Sequence, residues 1–156
     1  MEEVKITLDE ANKLFRQADH LVYVTYPLLQ ETKLIITISE NLSKSLILAM
    51  DALLCYERLY KRIPLFPENF ESRFDIFKRK VASRYSIDRD HLVLINDLRK
   101  LVDARKGSNM EFIRKEKYVL MNSNFGTKTI TIGKLKDYLE EGKSFMNKIN
   151  GILKNA

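Results

Sequence analysis

The sequence predicts a mainly α-helical fold: an antiparallel bundle of about five helices, with a small β-hairpin before the last helix. Apolar residues recur at helical spacing in five segments. The 156 residues include only five glycines and three prolines, too few turn formers for a strand-rich sandwich. With 45% hydrophobic residues, the chain is too apolar for disorder. A single domain over residues 1–156 follows, since a typical domain has about 100 to 200 residues.

The first two helices are indicated by apolar residues three and four positions apart. Thr7 and Glu10 have the spacing of a capping box, so we expect the first helix over about residues 8–25. Pro27 disfavours helical geometry at Tyr26, which predicts a break or kink there. The second helix is expected to begin near Glu31 and to continue for roughly eight turns.

Between Leu46 and Tyr56 the second helix is apolar on nearly every face. Such a helix must be covered on several sides, which makes it the centre of a bundle, a dimer interface, or both. Asp51 lies within this stretch and could pair across a dimer axis or with a basic side chain. A partly exposed position is favoured, because burying an unpaired carboxylate is costly. Cys55, flanked by apolar residues, is interpreted as a small buried hydrophobic residue.

Two further helices are expected in the middle of the chain. Pro67 is well placed as the first residue of the third helix, because its missing N–H would have no partner there. Ser86 or Asp88 can cap the fourth helix, and Gly107 stands where that helix ends. The third helix carries an aromatic stripe that we expect in the core, formed by Phe70, Phe74 and Phe77.

The last part of the chain predicts a hairpin and a helix. Residues 118–121 and 127–132 are rich in β-branched and aromatic residues, and turn-forming residues lie between them. We therefore expect a β-hairpin over residues 117–132. A final helix is expected from about residue 133, weakened by Gly142 and Gly151.

Positive charge is concentrated in the middle of the chain. The net charge is +6, and residues 78–117 hold 12 basic and 6 acidic residues. If the third and fourth helices pack antiparallel, we expect Arg105 near Lys78, forming a surface that binds phosphates. The alternative is that these cations only complement helix dipoles and aid solubility. The candidate nucleotide-binding or RNA-binding residues are Lys78, Arg79, Lys80, Arg84, Arg105, Lys106, Arg114 and Lys115.

Two segments connect the chain to a known family. Residues 39–46 read SENLSKSL and are followed by AMDALL at residues 49–54, while residues 98–108 read LRKLVDARKGS. In these segments and in its order of helices, the chain resembles the HEPN domains, named for higher eukaryotes and prokaryotes nucleotide-binding. The likeness covers roughly residues 10–150. It implies a module that dimerises and binds nucleotide, RNA or a nucleotidyltransferase partner.

Catalytic members of that family cleave RNA without a metal, using an Arg followed after about four to six residues by a His. Arg105 stands where such a motif would begin, but no His follows it, since His91 is the last in the chain. Arg84 and His91 have the permitted spacing but lie between the third and fourth helices rather than at the end of the fourth. The resemblance therefore implies a noncatalytic homodimeric module, with a metal-independent ribonuclease using Arg84 and His91 as the alternative.

Cofactors and membranes are not indicated. No spacing of Cys and His suits a zinc site, and no glycine-rich phosphate loop is present, so no metal or cofactor is expected. The most apolar stretch is about half of the roughly 20 residues that a membrane-spanning helix needs. The first residues lack the basic region and apolar run of a secretory signal, so a cytoplasmic location is expected.

Overall fold

The computed structural model describes residues 1–106, 110–114, 117–121 and 127–155. These residues form five helical segments and a small antiparallel sheet before the last helix, which confirms the predicted fold class. The first segment consists of two α-helices joined by a π-helical turn at Leu21–Thr25, and the third ends in a π-helical turn at Phe77–Val81. The helices are α1 Glu2–His20, α2 Tyr26–Leu29, α3 Leu34–Leu59, α4 Phe70–Ile76, α5 Arg89–Lys106 and α6 Ile132–Lys154.

The first helical segment differs from the prediction at both ends. It begins at Glu2, so Thr7 lies inside α1 and the predicted capping box is wrong. It also continues past Pro27 instead of breaking there. The N–H of Tyr26 donates to the carbonyl oxygen of Leu21, five residues earlier, in a π-helical turn. Proline cannot donate and crowds the preceding turn of an α-helix, and the wider π-helical turn accommodates it.

The central helix of the bundle is α3. It packs along α1 and also contacts α5 and α6. Leu46, Met50 and Leu53 have no exposed surface. Most of the apolar stretch between Leu46 and Tyr56 is therefore covered by other helices of the same chain, while Leu48 and Cys55 stay partly exposed. Its hydrophobicity alone does not require a second copy.

The third helical segment starts later than expected. Its N-cap is Asn69, whose side chain accepts a hydrogen bond of 2.9 Å from the backbone N–H of Ser72. Pro67 is therefore not the first helical residue, because Asn69 supplies a side-chain acceptor that proline lacks. The following helix, α5, begins directly after Asp88, one of the two predicted caps. The aromatic stripe is buried as predicted, at Phe70, Phe74 and Phe77.

The predicted hairpin is present, and a third strand extends it. Strand β2 (Lys117–Met121) pairs antiparallel with β3 (Thr127–Thr131). Strand β1 (Met110–Arg114), which the sequence did not predict, pairs antiparallel with β2 on its other side. Strand β1 is stabilised by its hydrogen bonds to β2, and the strand propensity of its own residues does not reveal this pairing. Thr131 then caps α6, its side chain accepting from the N–H of Lys134 at 3.1 Å.

Candidate functional site

A cleft of about 440 Å³ lies between α3, α4 and α5. Its apolar lining comes from Ile47 and Leu48 of α3 and Val102 of α5. Pockets of this size, with an apolar lining and a few polar groups, commonly bind small ligands. The charged and polar side chains of the lining are Glu40, Ser43, Lys44, Asp51, Arg73 and Arg99.

Three cationic side chains reach the cleft from three different helices. Lys44 comes from α3, Arg73 from α4 and Arg99 from α5. Lys44 is exposed and has no ion-pair partner within the described part of the chain. Because their backbones belong to three packed helices, the three cations converge only in the folded chain.

An ion pair holds Arg73 at one end of the cleft. Its Nε lies 2.9 Å from Oδ1 of Asp51, and both side chains are half-buried. The guanidinium also donates to the backbone carbonyl oxygen of Glu68. Burial raises the pKa of Asp51 above its ordinary value, although the Arg73 guanidinium opposes this shift. Asp51 is therefore both partly exposed and paired with a basic side chain of its own chain.

Arg99 is held by two contacts of its own. Its guanidinium carbon lies 4.8 Å from the centroid of the Phe70 ring, and its Nε lies 3.2 Å from Oδ2 of Asp103. Stacking and pairing restrict the rotamers of a long side chain, so this planar cation is oriented before any ligand binds. At the rim, Arg105 Nη1 lies 3.7 Å from Oε1 of Glu40.

The predicted basic surface is divided in the structure. Arg84 pairs with Glu57 of α3 at 2.8 Å, whereas Arg105 pairs with Glu40 of the same helix. At 1.5 Å per residue, these two carboxylates are about 25 Å apart along α3. Arg99, in the last part of α5, stacks on Phe70, the first residue of α4, whereas Lys78 follows the end of α4. Arg105 and Lys78 therefore lie toward opposite ends of the α4–α5 pair. The expected proximity of Arg105 and Lys78 was wrong for this reason.

The other predicted binding residues lie outside the cleft or outside the described part. Lys78, Arg79 and Lys80 are exposed on the π-helical turn after α4. Arg79 Nη2 pairs with Asp75 at 2.7 Å, and Lys78 Nζ lies 5.0 Å from the Phe74 ring centroid. The side chains of Lys106 and Arg114, and the whole of Lys115, lie outside the described residues.

The two catalytic candidates of the ribonuclease alternative are held by different helices. Arg84 pairs with Glu57 of α3. His91 has 4% of its surface exposed, and its Nδ1 lies 2.8 Å from Oε1 of Glu141 on α6. The His91 ring also lies 5.7 Å from the Phe145 ring. Proton transfer to a substrate requires an accessible ring nitrogen, and this packing leaves His91 little access.

Sequence reasoning missed Lys44 and Arg73 as site residues and treated Arg99 only as part of a basic helix. A signal was available on α3. Glu40, Lys44 and Asp51 interrupt its apolar pattern at steps of four and seven residues, which places them along one side of a helix. This strip predicts which side of α3 is left uncovered. The partners from α4 and α5 carry no comparable signal.

Comparison with known proteins adds no relative. The chain matches no protein-family model, no curated protein and no solved structure. The HEPN resemblance therefore stays a prediction. In the described part of the chain, no group of three or more His, Cys, Asp or Glu side chains could hold a metal ion. Among the described helices, none has the length and apolar character needed to span a membrane.

Proposed function

We propose that the protein is a noncatalytic helical binding module whose cleft between α3, α4 and α5 binds a nucleotide or a nucleotide unit of RNA. The observation that carries this proposal is the convergence of Lys44, Arg73 and Arg99 on a cleft with an apolar lining. Cations of this kind bind phosphate oxygens, and guanidinium groups do so with defined geometry. The apolar lining supplies a surface for a base.

The lining favours binding over catalysis. Asp51, a carboxylate with a raised pKa, is engaged by Arg73. Among the described residues, no histidine or cysteine lines the cleft. General acid–base catalysis needs a group within hydrogen-bond reach that exchanges a proton with the substrate, whereas Lys44 and Arg99 supply charge and hydrogen-bond donors.

A direct binding measurement tests the proposal. Fluorescence anisotropy with labelled single-stranded RNA, and calorimetry with nucleoside monophosphates, should show binding that weakens linearly in log affinity as log salt rises. Lys44→Gln and Arg99→Gln should each reduce affinity by roughly fivefold to tenfold, because each removes a charged hydrogen-bond donor.

Two sets of variants act as controls. Lys148 is exposed on α6 and does not line the cleft, so Lys148→Gln removes the same charge and should leave affinity unchanged. Lys78→Gln and Lys80→Gln test the basic surface outside the cleft. Absence of salt-dependent binding in the wild type, or equal losses in Lys44→Gln and Lys148→Gln, would contradict the proposal.

A homodimer is part of the proposal, although not through α3. The end of the first helical segment exposes apolar side chains, with Leu28 80% and Leu29 61% exposed. Contiguous exposed apolar residues are typical of interaction surfaces. Sedimentation velocity should show a dimer that Leu28→Ser with Leu29→Ser dissociates, and a wild-type monomer at micromolar concentration would remove this part of the proposal. The family resemblance also leads us to propose a nucleotidyltransferase partner, which co-purification with the tagged protein tests. The sequence leads us to propose a cytoplasmic location, which microscopy of the tagged protein tests.

A further inference from the structure

A second cavity of about 360 Å³ adjoins the cleft. The two share Leu48, Asp51 and Arg73 in their linings, so the Asp51–Arg73 ion pair stands where they meet. Beyond this pair, the second cavity has apolar lining from Leu54 and from the half-buried Phe66. A ligand that extends past Arg99 along α3 therefore reaches Asp51 and has further room beyond it.

The charged groups change in kind along this path. At the first end, Lys44 and Arg99 offer hydrogen-bond donors, and the nearby carboxylate of Glu40 is paired with Arg105. In the second cavity, Glu3, Asp51 and Glu68 offer acceptors when ionised. Arg58 also lines the second cavity, where its guanidinium lies 5.6 Å from the centroid of the Phe66 ring. A ligand matching both parts has an anionic group at one end and a hydrogen-bond donor at the other.

The distance between the two ends suits a nucleotide. Lys44 and Asp51 are separated by two turns of α3, which is about 10 Å along the helix axis. This is comparable to the length of a nucleoside monophosphate from its phosphate to the outer edge of its base. Asp51 contacts Arg73 through Oδ1, which leaves its second carboxylate oxygen to accept a hydrogen bond from a ligand.

We propose that Asp51 determines base specificity in this cleft by accepting a hydrogen bond from an exocyclic amino group. The inference rests on the proposed function, since it assumes that the phosphate lies at Lys44 and Arg99. Cytosine and adenine carry an amino donor where uracil and hypoxanthine carry a carbonyl oxygen. A carboxylate accepts from the amino group and repels the carbonyl oxygen, so the cleft should prefer amino-bearing bases.

Matched nucleotide pairs test this inference by calorimetry at fixed salt. CMP carries an amino group at C4 where UMP carries a carbonyl oxygen, and its N3 lacks the hydrogen that N3 of UMP carries. AMP and IMP differ in the same way at C6 and N1. The wild type should bind CMP about tenfold more tightly than UMP, with a similar ratio for AMP over IMP. Asp51→Asn should reduce both ratios to within about twofold, because an amide offers a donor as well as an acceptor. Asp137→Asn, a substitution at an exposed carboxylate of α6, should leave both ratios unchanged.

The outcomes separate this inference from the proposed function. The role of Asp51 is overturned if the wild type binds CMP and UMP equally, or if the preference persists in Asp51→Asn. In either case the proposed function stands as long as nucleotide affinity depends on Lys44 and Arg99. Failure of all four nucleotides and of RNA to bind overturns the proposed function itself. The wild-type comparison requires no variant, and Asp51→Ser serves as a second substitution if Asp51→Asn does not fold.

Discussion

Replacing Arg84 by methionine tests whether this predicted binding residue has a structural role. Arg84 Nη1 lies 2.8 Å from Oε2 of Glu57, whose side chain has no exposed surface. Arg62 is a second, more distant partner at 3.5 Å. Arg84→Met therefore leaves a buried carboxylate with the more distant Arg62 and the Tyr85 hydroxyl as its partners, while most of the stem of the replaced side chain is retained.

The expected loss of stability follows from the burial of Glu57. Removing one partner of a buried ion pair typically costs about 3 to 5 kcal/mol, because the remaining charge stays desolvated. Arg84 is itself 40% exposed and Arg62 remains in place, so the loss should be smaller. We expect the free energy of unfolding to fall by about 2 kcal/mol.

Arg79→Met is the matched control for this measurement. Arg79 pairs with Asp75 at a similar distance, 2.7 Å, but both side chains are more than half exposed. An exposed pair contributes about 0.5 kcal/mol or less, so Arg79→Met should be nearly neutral. Urea denaturation followed by circular dichroism measures both variants. Equal stability of Arg84→Met and Arg79→Met would refute the argument that burial of the carboxylate makes the Arg84 pair important.

Three other predictions concern titration, packing and catalysis. Burial and the Glu57 carboxylate raise the pKa of Tyr85 to about 12. The folded state then retains a proton that an unfolded tyrosine loses near pH 10, so the free energy of unfolding should fall between about pH 10 and 12. Alkaline denaturation should show a smaller fall for Tyr85→Phe than for the wild type. Gly151→Ala should raise the free energy of unfolding by about 0.5 to 1 kcal/mol, because a Cβ there meets nothing within 4 Å. Gly142→Val should lower the free energy of unfolding by about 1 to 3 kcal/mol, because a Cβ at position 142 already lies 3.2 Å from the Phe15 ring. Thermal unfolding of both glycine variants tests these two predictions. Labelled RNA should stay intact with the wild-type protein, and cleavage that His91→Ala abolishes would instead support the ribonuclease alternative.

Four features could be predicted from the sequence: the helical class, the number of helical segments, the hairpin and the burial of the aromatic stripe. These features depend on spacing within one segment, and spacing is visible in the chain. It also indicated that the helix containing Leu46 and Leu53 would be central, because a helix that is apolar on nearly every face must be covered. The open strip of α3 with Lys44 and Asp51 is visible in the same way, as polar residues that interrupt the apolar pattern.

The ion-pair partners of the charged side chains could not be predicted, because they depend on how the helices pack in three dimensions. Asp51 pairs with Arg73 and Glu57 pairs with Arg84, and neither pairing follows from local sequence. The π-helical turn before Pro27 and the unpredicted strand β1 also depend on contacts with the rest of the bundle and sheet. These features share one cause. Hydrophobic periodicity reports which face of an element is buried, whereas ion pairs, strand pairing and clefts depend on how separate elements are placed in three dimensions.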